Sequence, residues 1–257
     1  MKLELVSREK LEYIAKKVLG YSLQDAEKDY FLALTMKIIS QSALGELLVF
    51  KGRTSIYHCY LDQLRFSEDL DFTSRDKNIS LDSFNRIFNE YKIFEIKKDF
   101  ESHTTIKIER LKYNGVLEVP NSIKVEVDKF QNVYLPTLKK YYKNEWELAF
   151  EVNVMNPIEI CAEKIRATND RFRYRDFYDL YMLSNKYAID LAESVKIISK
   201  KEIRKPISKS NIIRNLSYVL GEENDKSNLV FYKEEIPKEK IGSFFENLNI
   251  PDFKSNV

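Results

Sequence analysis

Cysteine, histidine, glycine and proline are all scarce in this sequence. Its 257 residues include two cysteines, two histidines, six glycines and six prolines. Two cysteines do not make a disulfide framework, and no Cys/His spacing fits a zinc site, so Cys59 and Cys161 are expected to be small buried side chains. Few glycines and prolines favour long helices and strands joined by short loops.

Long apolar runs and a large net charge are missing too. No uninterrupted apolar stretch approaches membrane-spanning length, and no signal peptide is recognisable, so we expect a cytoplasmic protein without membrane contact. The net charge is +2, so a nucleic-acid partner would require a local basic patch. The hydrophobic fraction of 44% argues against disorder and suffices for one large domain or two modest ones.

The spacing of apolar residues predicts the elements of the first half. Helical spacing indicates helices over 7–19, 23–44 and 81–92, with a short buried strand ending at Gly52 and a second strand over 68–73. Four further segments between residues 94 and 155 alternate with period two, as strands do. A turn region after the second of these segments predicts a hairpin.

From Asn156 onward the pattern is helical. Asn156 is a predicted N-cap, Pro157 takes the first helical position, and Glu159 is placed to reach back to the cap. Further helices are predicted over 174–186, 190–202, 208–220 and 237–247. We therefore predict an α+β fold, with a mixed β-sheet domain over 1–155 and a helical domain over 156–257.

Two carboxylates, Asp69 and Asp71, stand one residue apart in the second predicted strand. Because side chains alternate along a strand, both carboxylates point to one face, while Leu70 and Phe72 enter the core. Parallel carboxylates repel each other unless a cation lies between them, and such oxygen ligands suit Mg²⁺ or Mn²⁺. The alternative is a solvated strand face, since this spacing is common.

The turn before this strand offers a complementary feature. The strand ending at Gly52 is followed by Thr54 and Ser55 at the start of a predicted helix, where backbone N–H groups and two hydroxyls could bind an anion. The segment is not a Walker A loop, because it lacks the Gly-Lys-Ser/Thr that ends one. An ordinary strand-to-helix turn is the alternative.

A third carboxylate could come from the strand predicted over 122–130. Glu126 and Asp128 share one face of that strand with Lys124. Two-metal phosphoryl-transfer sites often use three carboxylates from adjacent strands, and the mid-strand position makes Glu126 the candidate. The alternative is an exposed charged face.

The helical part contributes a lysine and an aspartate. Lys164 lies on the flank of the apolar stripe of the helix that follows Asn156, and Asp176 lies on the flank of the next stripe. A lysine that neutralises phosphate and an aspartate that orients it would make a coherent pair. A surface ion pair is the alternative.

Two of these segments together resemble a known family. The run FKGRTSIYHCY…RFSEDLDF, within 49–73, and the run NPIEICAEKIRA…RDFYDLYML, within 156–183, are similar to the motif blocks of the AbiEii/MenT family of nucleotidyltransferase-fold toxins. The family pattern is a G-G-T-S/A turn followed by R-F-S-x-D-[IL]-D, and later E-x-x-x-x-K-x-x-A and R-D-x-x-D. Two blocks in the right order are much less common by chance than either alone.

The resemblance implies a polymerase-β-like nucleotidyltransferase core with NTP as substrate and Mg²⁺ (or Mn²⁺) as cofactor. It implies metal at two aspartates, phosphates at the glycine turn and a functional lysine–aspartate pair: Asp69 and Asp71; Gly52, Thr54 and Ser55; Lys164 and Asp176. It also implies a toxin of a toxin–antitoxin or phage-defence system, with an antitoxin as protein partner. Characterised relatives transfer nucleotides to tRNA 3′ ends and so block translation.

The sequence departs from the family pattern at Arg53, where the family has glycine or serine. Either the phosphate pocket is altered, or Arg53 itself supplies a cationic contact to phosphate. The departure leaves open a second function: a protein that keeps the fold but binds nucleotide, RNA or a protein partner without turnover.

A basic segment over 196–215 bears independently on RNA binding. It holds one acid, Glu202, against seven basic residues: Lys196, Lys200, Lys201, Arg204, Lys205, Lys209 and Arg214. Such a patch suits the backbone of an RNA such as tRNA. A solvated helical face is the alternative.

Overall fold

The computed structural model describes residues 4–64, 66–221 and 233–257. By its internal contacts the chain divides into two compact units, each assembled from separate stretches. The first unit comprises Met1–Cys59, Phe66–Phe130 and Thr137–Val154, and the second comprises Tyr60–Arg65, Gln131–Pro136 and Met155–Val257.

The first unit contains five helices among its described residues. They are α1 (Arg8–Tyr13), α2 (Leu23–Ser40), α3 (Leu44–Leu47), α4 (Gly52–Ser55) and α5 (Leu81–Asn89). π-Helical turns at Ile14–Leu19 and Ile56–Tyr60 continue α1 and α4. The helix predicted over 23–44 ends earlier, at Ser40. The chain turns there, and Gly45 lies so close to the carbonyl oxygen of Ser40 that a Cβ atom would not fit.

Seven strands form one mixed sheet in the order β3-β4-β5-β2-β1-β7-β6. Their bounds are β1 Leu48–Lys51, β2 Asp69–Ser74, β3 Phe94–Glu101, β4 Thr105–Tyr113, β5 Asn121–Asp128, β6 Leu138–Tyr141 and β7 Glu151–Val154. β2 runs parallel to β5 and β1 parallel to β7, while the other neighbours are antiparallel. The hairpin predicted in the middle of the chain is confirmed as β4–β5.

Strand β6 was not predicted from the sequence. Its residues, LKKY, carry too few apolar side chains to show an alternation, and the strand lies at the edge of the sheet, where little of it is buried. The predicted alternation in β2 is confirmed: Leu70 and Phe72 are buried, while Asp69 and Asp71 are partly exposed.

Five helices form the second unit among the described residues: α6 (Pro157–Asp170), α7 (Tyr174–Lys186), α8 (Leu191–Ile198), α9 (Lys209–Gly221) and α10 (Lys238–Asn247). The start of α6 is capped as predicted, since the Asn156 side chain accepts a hydrogen bond from the N–H of Ile158 at 3.0 Å. None of the helices in the described part of the chain is both long and apolar enough to cross a membrane.

The prediction that Glu159 reaches back to the helix cap is wrong. Its carboxylate is buried and accepts hydrogen bonds from the N–H groups of Tyr134 and Leu135. It also pairs with Lys201, whose Nζ lies 2.6 Å from Oε1. A buried carboxylate needs a counter-charge and donors, and these come from residues distant in sequence. Glu159 therefore anchors the 131–136 segment to α6.

A buried polar cluster lies in the first unit. The carboxylate of Asp29, in α2, accepts a hydrogen bond from Trp146 Nε1 at 2.8 Å. The His58 ring stacks on Tyr142 with centroids 4.4 Å apart, and its Nδ1 lies 2.7 Å from the carbonyl oxygen of Lys143. Burial lowers the pKa of His58, and the Asp29 charge and the Lys143 carbonyl oppose this only in part.

We expect acidification to destabilise the fold through His58. Because the pKa of its buried imidazole lies below the ordinary value, the unfolded chain takes up a proton first as the pH falls through about 6.5. The free energy of unfolding then drops by up to roughly 1.4 kcal/mol per pH unit. In thermal melting between about pH 7.5 and 5.5, the Tm of the wild type should fall relative to that of His58→Gln, which lacks this contribution.

The second histidine of the chain provides the control. His103 is exposed, so His103→Gln should keep the pH dependence of the wild type. A His58→Gln protein whose melting temperature follows the same pH dependence as wild type would contradict this account of His58.

Candidate functional site

The turn that follows β1 places Gly52 directly against Asp71. Gly52 has a φ of +76°, in the left-handed region that favours glycine. A Cβ atom added there would lie 2.6 Å from Asp71 Oδ2 and 3.0 Å from Asp71 Cβ. Backbone conformation and close approach both require glycine at this position. The turn thereby seats the beginning of α4 beside a carboxylate of β2.

Strand register brings three carboxylates to one face of the sheet. Asp71 is paired with Lys51 of β1 on one side and with Glu126 of β5 on the other. Asp69, two residues earlier, is paired with Lys124. Because paired residues on neighbouring strands point to the same face, Asp69, Asp71 and Glu126 share that face of the sheet.

Crowding of negative charge marks Asp71. Its pKa is raised from the ordinary value to about 6, first by burial and then by the charges of Asp69 and Glu126. Lys51 and Arg53 oppose this shift without cancelling it. When the pKa of a carboxylate is raised in this way, any cation that enters the site stabilises its ionised form.

Glu126 forms ion pairs with two lysines. Its carboxylate oxygens lie 3.3 Å from Lys107 Nζ and 3.1 Å from Lys124 Nζ. Burial would raise the pKa of Glu126, but the two ammonium groups outweigh burial and keep that pKa below its ordinary value. Glu126 as a third metal ligand stays a prediction.

The chemistry of the aspartate pair fits a divalent cation. Asp69 and Asp71 offer hard oxygen ligands on one strand face, and burial followed by the charges of Asp69 and Glu126 raises the pKa of Asp71. In the described part of the chain, no three or more His, Cys, Asp and Glu side chains converge as a larger metal cluster would. The two aspartates are therefore the residues that would hold such an ion.

Arg53 turns toward these carboxylates. Its Nη2 lies 3.7 Å from Oδ2 of Asp69, and only 14% of its side chain is exposed. The residue that departs from the family pattern therefore places a fixed positive charge at the aspartate pair. The sequence left the direction of this side chain open, and the structure directs it to Asp69.

The hydroxyls of Thr54 and Ser55 are engaged inside the turn. Thr54 Oγ1 donates to the carbonyl oxygen of Asp69 at 2.5 Å and contacts the hydroxyl of Ser67. Ser55 Oγ donates to the carbonyl oxygen of Gly52 at 2.8 Å. Both side chains are buried. Their hydroxyls fix the turn, so what they offer an anion is backbone N–H groups at the beginning of α4.

In the second unit, Lys164 lies between two aspartates. Its Nζ is 3.0 Å from Asp176 Oδ1 and 2.7 Å from Asp179 Oδ2. The three side chains are 10%, 7% and 0% exposed, so the alternative of a surface ion pair is wrong. Burial acts to raise the pKa of Asp176, but Lys164 outweighs it and the pKa lies below its ordinary value.

One oxygen of this cluster has no partner. Asp176 Oδ2 is buried and accepts no hydrogen bond within the described structure. A buried acceptor of this kind is costly unless a donor reaches it, so Asp176 has the capacity for one more hydrogen bond. Asp179 was missed from the sequence, although it is the second aspartate of the R-D-x-x-D block that drew attention to Asp176.

The basic segment over 196–215 only partly matches its prediction. Lys201 is 2% exposed and is paired with Glu159 and Glu163, so its proposed contact with RNA is wrong. A buried lysine needs carboxylate partners, and these lie on α6, distant in sequence from Lys201. Lys209 donates to the carbonyl oxygen of Glu246. The basic residues that stay exposed are Lys196, Lys200, Arg204, Lys205 and Arg214.

Comparison with known proteins identifies related chains. A family described as nucleotidyl transferase AbiEii toxin of a type IV toxin–antitoxin system matches residues 34–255. Among curated proteins, no sequence matches.

Arg65, in the R-F-S part of the first motif, lies outside the described residues.

Two solved structures share the fold. The nucleotidyltransferase toxin MenT4 of Mycobacterium tuberculosis is similar with a TM-score of 0.55 and 17% identity, over 93% of this chain and 90% of that one. An H. pylori protein described as a candidate nucleotidyltransferase is similar with a TM-score of 0.56 and 17% identity, over 88% of this chain and 94% of that one. At this identity the likeness shows the fold alone.

We expect Gly52→Ala to disturb the site more than its backbone conformation alone explains. The new Cβ would collide with Asp71 in addition to straining a positive φ, and the melting temperature should fall by roughly 4–10 °C. Gly20→Ala is the matched control, since Gly20 has a φ of +71° but nothing within 4 Å of an added Cβ. Equal losses in the two variants would contradict the contact with Asp71.

We expect Asp71→Asn to stabilise the metal-free protein at neutral pH. The folded pKa of about 6 exceeds the ordinary value of 3.8, so ionised Asp71 weakens the fold above about pH 6. Melting at about pH 7.5 should show a gain of roughly 2–6 °C, which disappears near pH 4, where Asp71 is neutral. Asp99→Asn, at an exposed position of β3, should show no such gain. A gain that persists at low pH would contradict a charge effect.

Proposed function

The chain belongs to the AbiEii family of nucleotidyltransferase toxins, and we propose that it transfers a nucleoside monophosphate from an NTP to an RNA, with the 3′ end of tRNA as the acceptor. The observation that carries this proposal is the seating of Asp71 against the Gly52 turn, with Asp69 beside it. Carboxylates next to a helix start place cation ligands and backbone N–H groups where a triphosphate needs both.

Asp69 and Asp71 would hold Mg²⁺, with Mn²⁺ as a substitute. When bound, the ion neutralises phosphate oxygens as negative charge develops on them. The N–H groups at the beginning of α4 bind phosphate, and Gly52 lets the chain approach without a side chain in the way. Arg53, directed to Asp69, adds a protein cation on the same side.

The chemistry is an in-line displacement. The 3′-hydroxyl of the acceptor attacks the α-phosphorus, a new phosphodiester bond forms, and pyrophosphate leaves. In the second unit, Asp176 and Asp179 hold the ammonium of Lys164 in one orientation, and we propose this cluster as a further contact for the substrate. Asp176 Oδ2, buried without a partner, is prepared to accept a hydrogen bond from a substrate hydroxyl or amino group.

The proposed setting is that of a toxin in a toxin–antitoxin or phage-defence system. Modification of tRNA in the cytoplasm would block translation, and an antitoxin would be the cognate protein partner. The matched family is described as the toxin of such a system, which supports this role. The exposed basic residues of the 196–215 segment suit an RNA backbone.

One observation favours a second candidate function. Arg53 already places a cation near Asp69, where the family pattern has a small residue. If that guanidinium excludes a metal ion, the protein would bind nucleotide, RNA or a protein partner without turnover. Nucleotide titration with and without Mg²⁺ distinguishes the two functions, since binding without turnover supports the second.

We expect label from at least one α-labelled NTP to appear on RNA when the chain is incubated with total tRNA and Mg²⁺. Asp71→Asn should lower the rate by roughly a hundredfold or more, because one of the two metal carboxylates is lost. Asp99→Asn should keep wild-type transfer. Absence of transfer with every NTP, from a protein that binds nucleotide, would contradict the proposal.

We expect Arg53→Gly to separate metal binding from nucleotide binding. Without the guanidinium, Mn²⁺ titrated into nucleotide-free protein should bind roughly 3- to 10-fold more tightly, because Asp69 loses a competing positive charge. The KM for NTP should rise several-fold, because a phosphate contact is lost. Arg53→Lys keeps the charge, so its Mn²⁺ affinity and its KM should lie between those of the wild type and those of Arg53→Gly. Unchanged Mn²⁺ affinity together with unchanged KM would contradict a role for Arg53.

A further inference from the structure

An exposed pair of aromatic rings lies on the second unit. Phe172, in the connection between α6 and α7, and Tyr218, in α9, are 51% and 53% exposed. Their ring centroids are 5.0 Å apart at an interplanar angle of 67°. Among the ring contacts of the described residues, this is the pair in which both rings are more than half exposed. The pair therefore presents aromatic surface to solvent.

The two rings are held in place by buried amides. Asn215 Nδ2, on α9, donates to the carbonyl oxygens of Thr168 and Asn169 at the end of α6, at 2.9 Å and 2.8 Å. Asn169 in turn donates to the carbonyl oxygen of Pro206 and accepts from the N–H of Ser208. These bonds fasten the segment that leads into α9 to the end of α6. The aromatic pair is therefore a preorganised surface.

Three arginines neighbour the pair in the chain. Arg171 and Arg173 flank Phe172 in sequence, and Arg214 lies one helical turn before Tyr218, so it shares that face of α9. All three arginines are exposed, and none forms an ion pair with any residue that the structure describes. Asp170, the nearest acid in sequence, is hydrogen-bonded to the Asn169 side chain. The surface therefore combines aromatic rings with exposed positive charge, of which that of Arg171 also acts on Asp176.

We propose that Phe172 and Tyr218 form a stacking platform for unpaired bases of a single-stranded RNA, with Arg171, Arg173 and Arg214 contacting its phosphates. This inference rests on the proposed function, because it assigns the surface that receives the RNA acceptor. Every base has a flat face that stacks on an aromatic ring, and guanidinium groups pair with phosphate. A protein partner would need acidic groups to match the arginines.

The platform adjoins the Lys164–Asp176–Asp179 cluster in the chain. Phe172 stands two residues before α7, and Asp176 lies in the first turn of that helix. Arg171 is near enough to contribute to the low pKa of Asp176. An RNA strand that stacks on Phe172 would thus bind close in the chain to the Lys164–Asp176–Asp179 cluster.

Binding of a fluorescein-labelled single-stranded oligoadenylate, followed by anisotropy, tests the platform without requiring turnover. Phe172→Ala and Tyr218→Ala should each raise the Kd roughly 5- to 50-fold. The double variant Arg171→Ala/Arg173→Ala should flatten the dependence of log Kd on log salt. Tyr141→Ala is the matched control, since this exposed tyrosine lies on β6 of the first unit, and its Kd should equal that of wild type.

A tryptophan at the platform gives a direct signal. The only tryptophan of the chain, Trp146, is buried, so Phe172→Trp introduces an exposed reporter. Its fluorescence should be quenched by oligoadenylate and not by an RNA duplex, whose bases are already stacked. Melting curves establish that each variant is folded.

The outcomes separate this inference from the proposed function. RNA binding that is lost in the Phe172 and Tyr218 variants supports the platform even if no nucleotide transfer is found. Wild-type RNA affinity in both variants overturns it, even if transfer to tRNA is found. Loss of a protein partner in these variants, with RNA affinity kept, overturns it as well.

Discussion

The candidate site depends on one close contact, between the backbone of Gly52 and the carboxylate of Asp71. A glycine with positive φ lets the chain turn from β1 into α4 directly beside β2, and no larger residue would fit. The contact brings a helix start and a carboxylate pair together, and these attract opposite charges. Separately, each is a common structural feature, and their contact is what the proposed binding of metal and triphosphate uses.

The two units differ in how the charges of their carboxylates are compensated. In the first, burial raises the pKa of Asp71 to about 6, and the neighbouring charges of Asp69 and Glu126 add to the shift. In the second, Lys164 satisfies Asp176 and Asp179 from within the protein. The first arrangement is open to a cation from solution, whereas the second is closed except for one carboxylate oxygen. Arg53 makes the first arrangement partly like the second, because its guanidinium supplies positive charge from the protein to the aspartate pair.

Local patterns predicted what depends on neighbours in sequence. The alternation of Asp69 and Asp71 with buried residues, the Asn156 cap and the helix over 174–186 are confirmed. The family and the mixed α/β fold are confirmed as well. What failed depends on distant partners: Glu159 and Lys201 meet across 42 positions, and no periodicity encodes that pair. The inward hydroxyls of Thr54 and Ser55 follow from a turn geometry that composition does not reveal.

A crystal structure with Mn²⁺ and a non-hydrolysable NTP tests the central claim most directly, because Mn²⁺ is located by its anomalous scattering. The account predicts an anomalous peak within ligand distance of both Asp69 and Asp71, with the triphosphate on the backbone of the Gly52 turn. Nucleotide bound elsewhere, or an Arg53–Asp69 ion pair that persists with no metal at the two aspartates, would contradict it.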